Sequence, residues 1–165
     1  MTRWLLGVAI LAACHRHTLD ASSPPPLQTA APAPQPRATS RTVVLPSTGE
    51  FSRLLADAAA AARRDGYTPF LEFTAAWCPP CRTFDKLRHD PAMEDALQGT
   101  AVIQADFDQW THPAEALGVL AIPTWMVIDA AGRPVPDQRI DGGAWQEDTA
   151  ANMAPVLKAF FTQAR

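Results

Sequence analysis

Phe70–Arg82 reads F-L-E-F-T-A-A-W-C-P-P-C-R, and the fold turns on it. An apolar run closes on Trp77, two cysteines flank two prolines, and helix-forming residues follow. The pattern predicts a buried strand running into a helix, with a thiol at the junction. Cys78 falls where the first helical turn leaves backbone N–H groups without intrahelical partners. Those groups and the helix dipole favour negative charge, and so favour the thiolate of Cys78. A thiolate is the nucleophile of thiol–disulfide exchange. Cys81, three residues on, lies one helical turn away, close enough to close a small disulfide ring. Pro79 suits the first turn, where a missing N–H costs no hydrogen bond.

A C-x-x-C pair is also half of a zinc site, or an inert structural disulfide. Zinc asks for four ligands, usually from a second C-x-x-C or a His pair. The remaining cysteine is Cys14, and His15, His17, His89 and His112 show no H-x3–5-H spacing. His15 and His17 stand far from the cysteine pair in sequence. A redox pair is the reading these counts favour, with no metal ligand assigned.

Outward from this stretch, the chain reads as one domain with appendages, since 165 residues allow a single core of about 100–120 residues. Thr42–Leu45 (T-V-V-L) is expected as an opening strand. Ser47-x-x-Glu50 has the form of a capping box. Phe51, Leu54, Leu55, Ala58 and Ala62 follow at helical spacing, and Gly66 ends that helix. Tyr67–Thr74 is the central strand, and the helix from Cys78 reaches about His89. Asp90-Pro91 starts another helix to Leu97, closed by Gly99. Ala101–Asp106 is a strand and Pro113–Leu117 a short helix. Thr124–Asp129 and Val135–Ile140 form a hairpin around Gly132. A bend at Gly142-Gly143 follows. Trp145 to about Gln163 is helical, with Pro155 forcing a kink or a fresh start. This alternation implies an α/β fold: a mixed β-sheet with helices on both faces.

W-C-P-P-C after an apolar strand resembles the active site of the thioredoxin superfamily. Gly118–Thr124 (G-V-L-A-I-P-T) resembles that family's cis-proline segment, in the family's order and at about its separation. F-T-A-A-W-C with the later A-D-F-D (Ala105–Asp108) is most similar to periplasmic thioredoxin-like domains of the transmembrane reductant conductor type. The resemblance implies a thioredoxin fold, catalysis by Cys78 and Cys81 as a disulfide-forming pair, and a cis Pro123 held beside them. By the chemistry of exchange, Cys78 is the attacking and more exposed thiol, and Cys81 the buried resolving thiol. Glu72 lies six residues before Cys78, where thioredoxin-like proteins carry a buried acid beneath the resolving cysteine. There it would move protons for Cys81. Trp77, Ile122 and Pro123 are the implied substrate-binding residues. Trp110 and Trp125 read as core or rim, and Arg82, Lys86, His89 and His112 as surface residues. Pro79 departs from the glycine of thioredoxin itself, at a dipeptide that influences redox potential.

The beginning of the chain reads as an export address. Residues 1–13 combine Arg3 with an apolar run of roughly ten residues, half of what a membrane-spanning helix needs. The run ends in Leu11–Cys14 (L-A-A-C), which resembles the bacterial lipobox, with lipid carried on Cys14. His15 stands where an Asp often marks inner-membrane retention in lipoproteins, so the outer membrane is favoured. Residues 14–46, rich in Pro and Ala, are expected as a polyproline-biased tether, and 47–165 as the thioredoxin-like domain. Loss of residues 1–13 leaves 13 basic against 17 acidic residues. With no basic stripe, nucleic acid is not an expected partner.

The function expected from these residues is an envelope thiol–disulfide oxidoreductase, periplasm-facing and monomeric, that reduces or isomerises protein disulfides without a cofactor. Its partners would be disulfide-containing envelope proteins and a separate redox partner, with the membrane reached through Cys14. Ile122 before the proline resembles thioredoxin-type reductases and biases the reading towards reduction. The rival is a copper or zinc chaperone that uses the same cysteines. A third reading is a structural domain with idle cysteines.

Overall fold

The computed structural model describes residues 39–163. Cys14, the expected signal segment and most of the expected tether lie outside the described residues. The described chain runs β1 (Arg41–Val44), α1 (Phe51–Arg64), β2 (Thr68–Thr74), α2 (Pro79–Leu87), α3 (Pro91–Leu97), β3 (Thr100–Asp106), α4 (Thr111–Ala116), β4 (Thr124–Ile128), β5 (Pro134–Asp141) and α5 (Ala150–Gln163). The five strands form one sheet in the order β1-β3-β2-β4-β5. β3 lies parallel to both β1 and β2, whereas β4 is antiparallel to β2 and to β5. The sheet is mixed, as expected. Residues 41–44 pair with β3, so the tether boundary at residue 46 is too late.

Strand alternation sorts the core into two layers. Phe70, Val102 and Trp125 face a layer built with Phe84 of α2, Met93 and Leu97 of α3, and Met153, Leu157 and Phe161 of α5. Leu71, Phe73, Ile103 and Met126 face the opposite layer, with Leu55 and Ala59 of α1 and Ala114 of α4. Aromatic edges lock the first layer. Phe70 and Phe161 have centroids 4.6 Å apart, and Phe84 and Trp125 4.8 Å apart. β2 is buried along both faces because it has strands on both sides and helices above and below.

Three local expectations are corrected. Glu50, not Ser47, caps α1: its carboxylate accepts from Ser52 N at 3.0 Å and Arg53 N at 2.7 Å. The helix starts at Phe51, so Glu50 stands at the cap itself rather than inside the first turn, and no capping box forms. Trp145 does not begin the last helix. It follows a short 3-10 turn at Gly142–Ala144, is buried, packs tilted against Trp125 with ring centroids 5.8 Å apart, and donates to Asp148 Oδ1 at 2.8 Å. Burying that indole against the core holds the segment out of helical register until Ala150. Pro155 neither ends nor restarts α5, which runs through it while Met153, Ala154, Leu157 and Phe161 are buried on its inner side.

The turn between β4 and β5 is set by close packing. Gly132 has φ +82, and a Cβ there would stand 2.6 Å from Ala56 Cα. Gly66 has φ +85 and open space around it. Gly66→Ala should therefore cost the left-handed strain alone, about 1–2 kcal/mol. Gly132→Ala should cost roughly 1–3 kcal/mol beyond that, because backbone must move. Urea unfolding midpoints of the two variants check this, and equal losses would refute the packing account.

Candidate active site

β2 ends at Thr74, and a short turn brings the chain to Cys78, the N-cap of α2. Cys78 N donates to Ala75 O at 3.1 Å, which closes the turn. Its φ of −75° and ψ of 115° are those of an extended cap residue. The sulfur does what a Ser or Asp oxygen does at other caps: it accepts from Cys81 N at 3.2 Å. Cys78 and Cys81 are joined as a disulfide, with Cα atoms 5.3 Å apart. Two prolines at the start of α2 leave the backbone N–H of Cys81 as the donor that the sulfur meets.

The disulfide packs against Ala75, Phe107 and Ile122. Cys78 Sγ lies 3.6 Å from Ile122 O. An oxidised sulfur has no proton to donate, so this is a contact and not a hydrogen bond. The Ile122–Pro123 peptide is cis, as the resemblance implied. A groove of about 350 Å³ opens here, walled by Trp77, Phe107, Leu120 and Ile122 with Cys78 on its lining. Trp77 is exposed and its indole is fixed by donation to Asp108 Oδ2 at 2.8 Å. Leu120 is 95% exposed, an unusual setting for a leucine.

Cys78 is expected as the more exposed of the two sulfurs, but in the disulfide form burial hardly separates them: the two residues are 2% and 1% exposed. Packing on Ala75, Phe107 and Ile122 buries both. What separates them is position, since Cys78 lines the groove and Cys81 is not among its lining residues. Pro123 is likewise buried behind the groove, and it is Ile122 that lines it. Pro123 O accepts from Gly142 N at 3.0 Å. Arg139 on β5 supports the same loop, donating from Nη1 to Leu117 O at 3.0 Å and Gly118 O at 2.8 Å. Trp110 and Trp125 are both core residues, and His89 and His112 are at the surface. Among the described residues, no group of three or more His, Cys, Asp or Glu is placed to hold a metal.

Glu72 is fully buried, on the sheet face that carries Phe70 and Trp125 and is covered by α2. Its Oε2 accepts from Gln104 Nε2 at 2.9 Å, and Oε1 has no partner. Burial pushes its carboxyl up to about 8; nearby Asp85 adds to this, while the Gln104 hydrogen bond and Arg88 oppose it. Gln104 and Asp108 are the site residues that reading the sequence missed. Each is a polar residue in or just after the third strand, and its partner lies some thirty residues away.

A thioredoxin family model matches residues 58–155. The chain belongs to the thioredoxin family. Thiol:disulfide interchange protein DsbD of Vibrio cholerae is 38% identical over 103 residues, covering 56% of this chain and 17% of that protein. The protein of that name from Photorhabdus laumondii is 34% identical over 80 residues, covering 46% of this chain and 14% of that protein. The chain thus spans about a sixth of the length of these curated relatives. Among solved structures, a mutant thioredoxin from Halobacterium salinarum superposes with a TM-score of 0.50 at 22% identity, covering 75% of this chain and 90% of that one. A disulphide isomerase from Xylella fastidiosa gives 0.50 at 22%, covering 69% and 91%. These structures share the fold. Family and fold make this a thioredoxin-like thiol–disulfide oxidoreductase domain, with Cys78–Cys81 as its redox disulfide.

The raised Glu72 carboxyl has a consequence for stability. Below about pH 4.5 folded and unfolded chains both hold the proton. Between 4.5 and about 8 the folded chain keeps a proton that the unfolded chain has lost, so stability falls as pH rises, and it levels off above. Glu72→Gln carries no such proton. Its gain over the wild type should be near zero at pH 4.5 and grow to on the order of 3–5 kcal/mol above pH 8. Thermal unfolding of the oxidised proteins across pH measures this, and a constant difference would show that Glu72 does not titrate as a buried acid.

Proposed function

We propose that this chain is a lipid-anchored thiol–disulfide oxidoreductase of the bacterial envelope that reduces or isomerises disulfides in other envelope proteins. The observation that carries the redox reading is a disulfide closed at the cap of α2, lining an apolar groove and facing the Ile122 carbonyl. The name of the relatives, thiol:disulfide interchange protein, agrees with it. The anchor rests on the sequence of Leu11–Cys14, and two or more acyl chains on one residue suffice for stable attachment. The outer membrane is the favoured surface, because His15 follows Cys14.

The chemistry runs through two exchanges. In the reduced protein, the Cys78 thiolate attacks one sulfur of a partner disulfide. A Cys78–partner disulfide forms, and the other partner sulfur leaves as a thiolate and takes a proton from water. Cys81 then gives its proton to Glu72 and attacks Cys78 Sγ. The Cys78–Cys81 disulfide forms, and the second partner sulfur leaves with the electron pair of the broken bond. The partner has gained two electrons and the protein has lost two. A separate dithiol donor restores the pair by the reverse exchanges. Cys78 is assigned the attack because it caps the helix and lines the groove, whereas Cys81 is shielded behind it.

Cys78→Ser should abolish reduction of insulin disulfides. Cys81→Ser should still attack and then stall, accumulating partners as mixed disulfides that mass spectrometry identifies. Trapping on Cys81 in the Cys78→Ser protein, and not on Cys78, would reverse the assignment of roles. Full-length protein should sediment with membranes, and Cys14→Ser should leave it soluble after cell fractionation. A soluble wild type would remove the anchor and leave the redox chemistry standing.

A further inference from the structure

We infer that Gln104 is a positioning residue that decides which oxygen of Glu72 carries the proton and how firmly it is held. The inference rests on the proposed function, in which Glu72 takes the proton of Cys81. β2–β3 pairing sets Gln104 directly across from Glu72. From there Gln104 Nε2 reaches Glu72 Oε2 at 2.9 Å and Asp85 Oδ1 at 3.3 Å. An amide nitrogen has two N–H donors and nothing to accept with. Turned over, the amide would point its oxygen at two carboxyl groups. The partners therefore fix the nitrogen between them, with both N–H bonds spent on acids.

This settles the geometry of the buried acid. Oε2 already receives an N–H, and in a neutral carboxyl the carbonyl oxygen is the better acceptor. The proton is left to Oε1, the oxygen that is buried without a partner. Oε1 is then the oxygen left free to gain and lose the proton that the proposed function passes from Cys81. For that step Glu72 must begin as an anion, and the Gln104 N–H is its hydrogen-bond donor. The charged groups that act on Glu72 come from α2 and its C-cap: Asp85, which opposes the anion, and Arg88, which favours it. Asp85 and Arg88 themselves stand 3.6 Å apart. The partners of Glu72 in register on β3 and β4, Gln104 and Trp125, are uncharged. Gln104 thus adds by hydrogen bonding to the favourable charge of Arg88.

Gln104→Met keeps the length of the side chain and removes the donor. In the oxidised full-length protein, the Glu72 carboxyl can be followed by 13C NMR, its signal assigned by its loss in Glu72→Gln. The Gln104→Met midpoint should rise by about one to two pH units, the worth of a hydrogen bond to a charged group. With reduced protein and a mixed-disulfide substrate, the resolving step at pH 7 should slow about ten- to hundredfold, tenfold for each unit of the shift, and recover as pH passes the new midpoint. A merely structural role would slow it at every pH and leave the midpoint alone. An unmoved or lowered midpoint overturns the inference. If Gln104→Met does not fold, Gln104→Glu replaces the donor with a third carboxyl. Its midpoint should rise further, and a fall or no change again overturns the inference. The titration needs no turnover, so it separates failure of this assignment from failure of the redox reading, which the cysteine variants test.

Discussion

The site depends on one constraint: α2 must begin at the point where β2 stops, and something must accept the N–H groups exposed there. β2 has no freedom to slide, because β3 and β4 bind it on both sides and apolar layers cover both faces. The acceptor is the sulfur of Cys78, bound to the amide of Cys81. In most helices this place is taken by an oxygen that has no further chemistry. Here the cap atom is also the bond that breaks and forms. When the disulfide opens, a sulfur bearing negative charge is a stronger acceptor from the same N–H and lies at the positive end of the helix dipole. Capping the helix and holding the nucleophile are one interaction.

The same strand pays for function with a buried acid. Six of the seven β2 positions obey the rule that a central strand is apolar or lightly polar, and Glu72 breaks it. Its cost is moderated by one hydrogen bond and by holding a proton, and left unrelieved at Oε1. Buried polar groups are normally satisfied. An exception that sits beneath the redox helix, in a family that exchanges disulfides, fits a group kept ready to change its protonation state.

How much of this was readable beforehand follows from how local each feature is. The strand–C-x-x-C–helix junction and the helix at Asp90-Pro91 are written in a few adjacent residues, and both were legible. Glu72 was legible because an acid in an apolar run is conspicuous. The Glu50 cap was misplaced because two capping arrangements share the same residues, and the entry angle of the chain decides between them. Trp145 was read as helical because its burial against Trp125 is invisible along the chain. Gln104 and Asp108 escaped because their roles exist only after strand pairing sets them beside Glu72 and Trp77. The near-equal burial of the two cysteines reflects a cover supplied by Phe107 and Ile122, from two other segments.

Arg139 ties the outermost strand to the groove. Its guanidinium binds the carbonyls of Leu117 and Gly118, just before the stretch that supplies Leu120 and Ile122. β5 is an edge strand, held by β4 alone and interrupted by a register shift near Met126. An edge strand leaves one row of N–H and C=O groups without strand partners, and local opening favours elements with the fewest buried contacts. By this tether, slack in the hairpin becomes slack in the wall of the groove. A substitution at β5 would then alter the wall of the groove while the cysteines and the core stay unchanged.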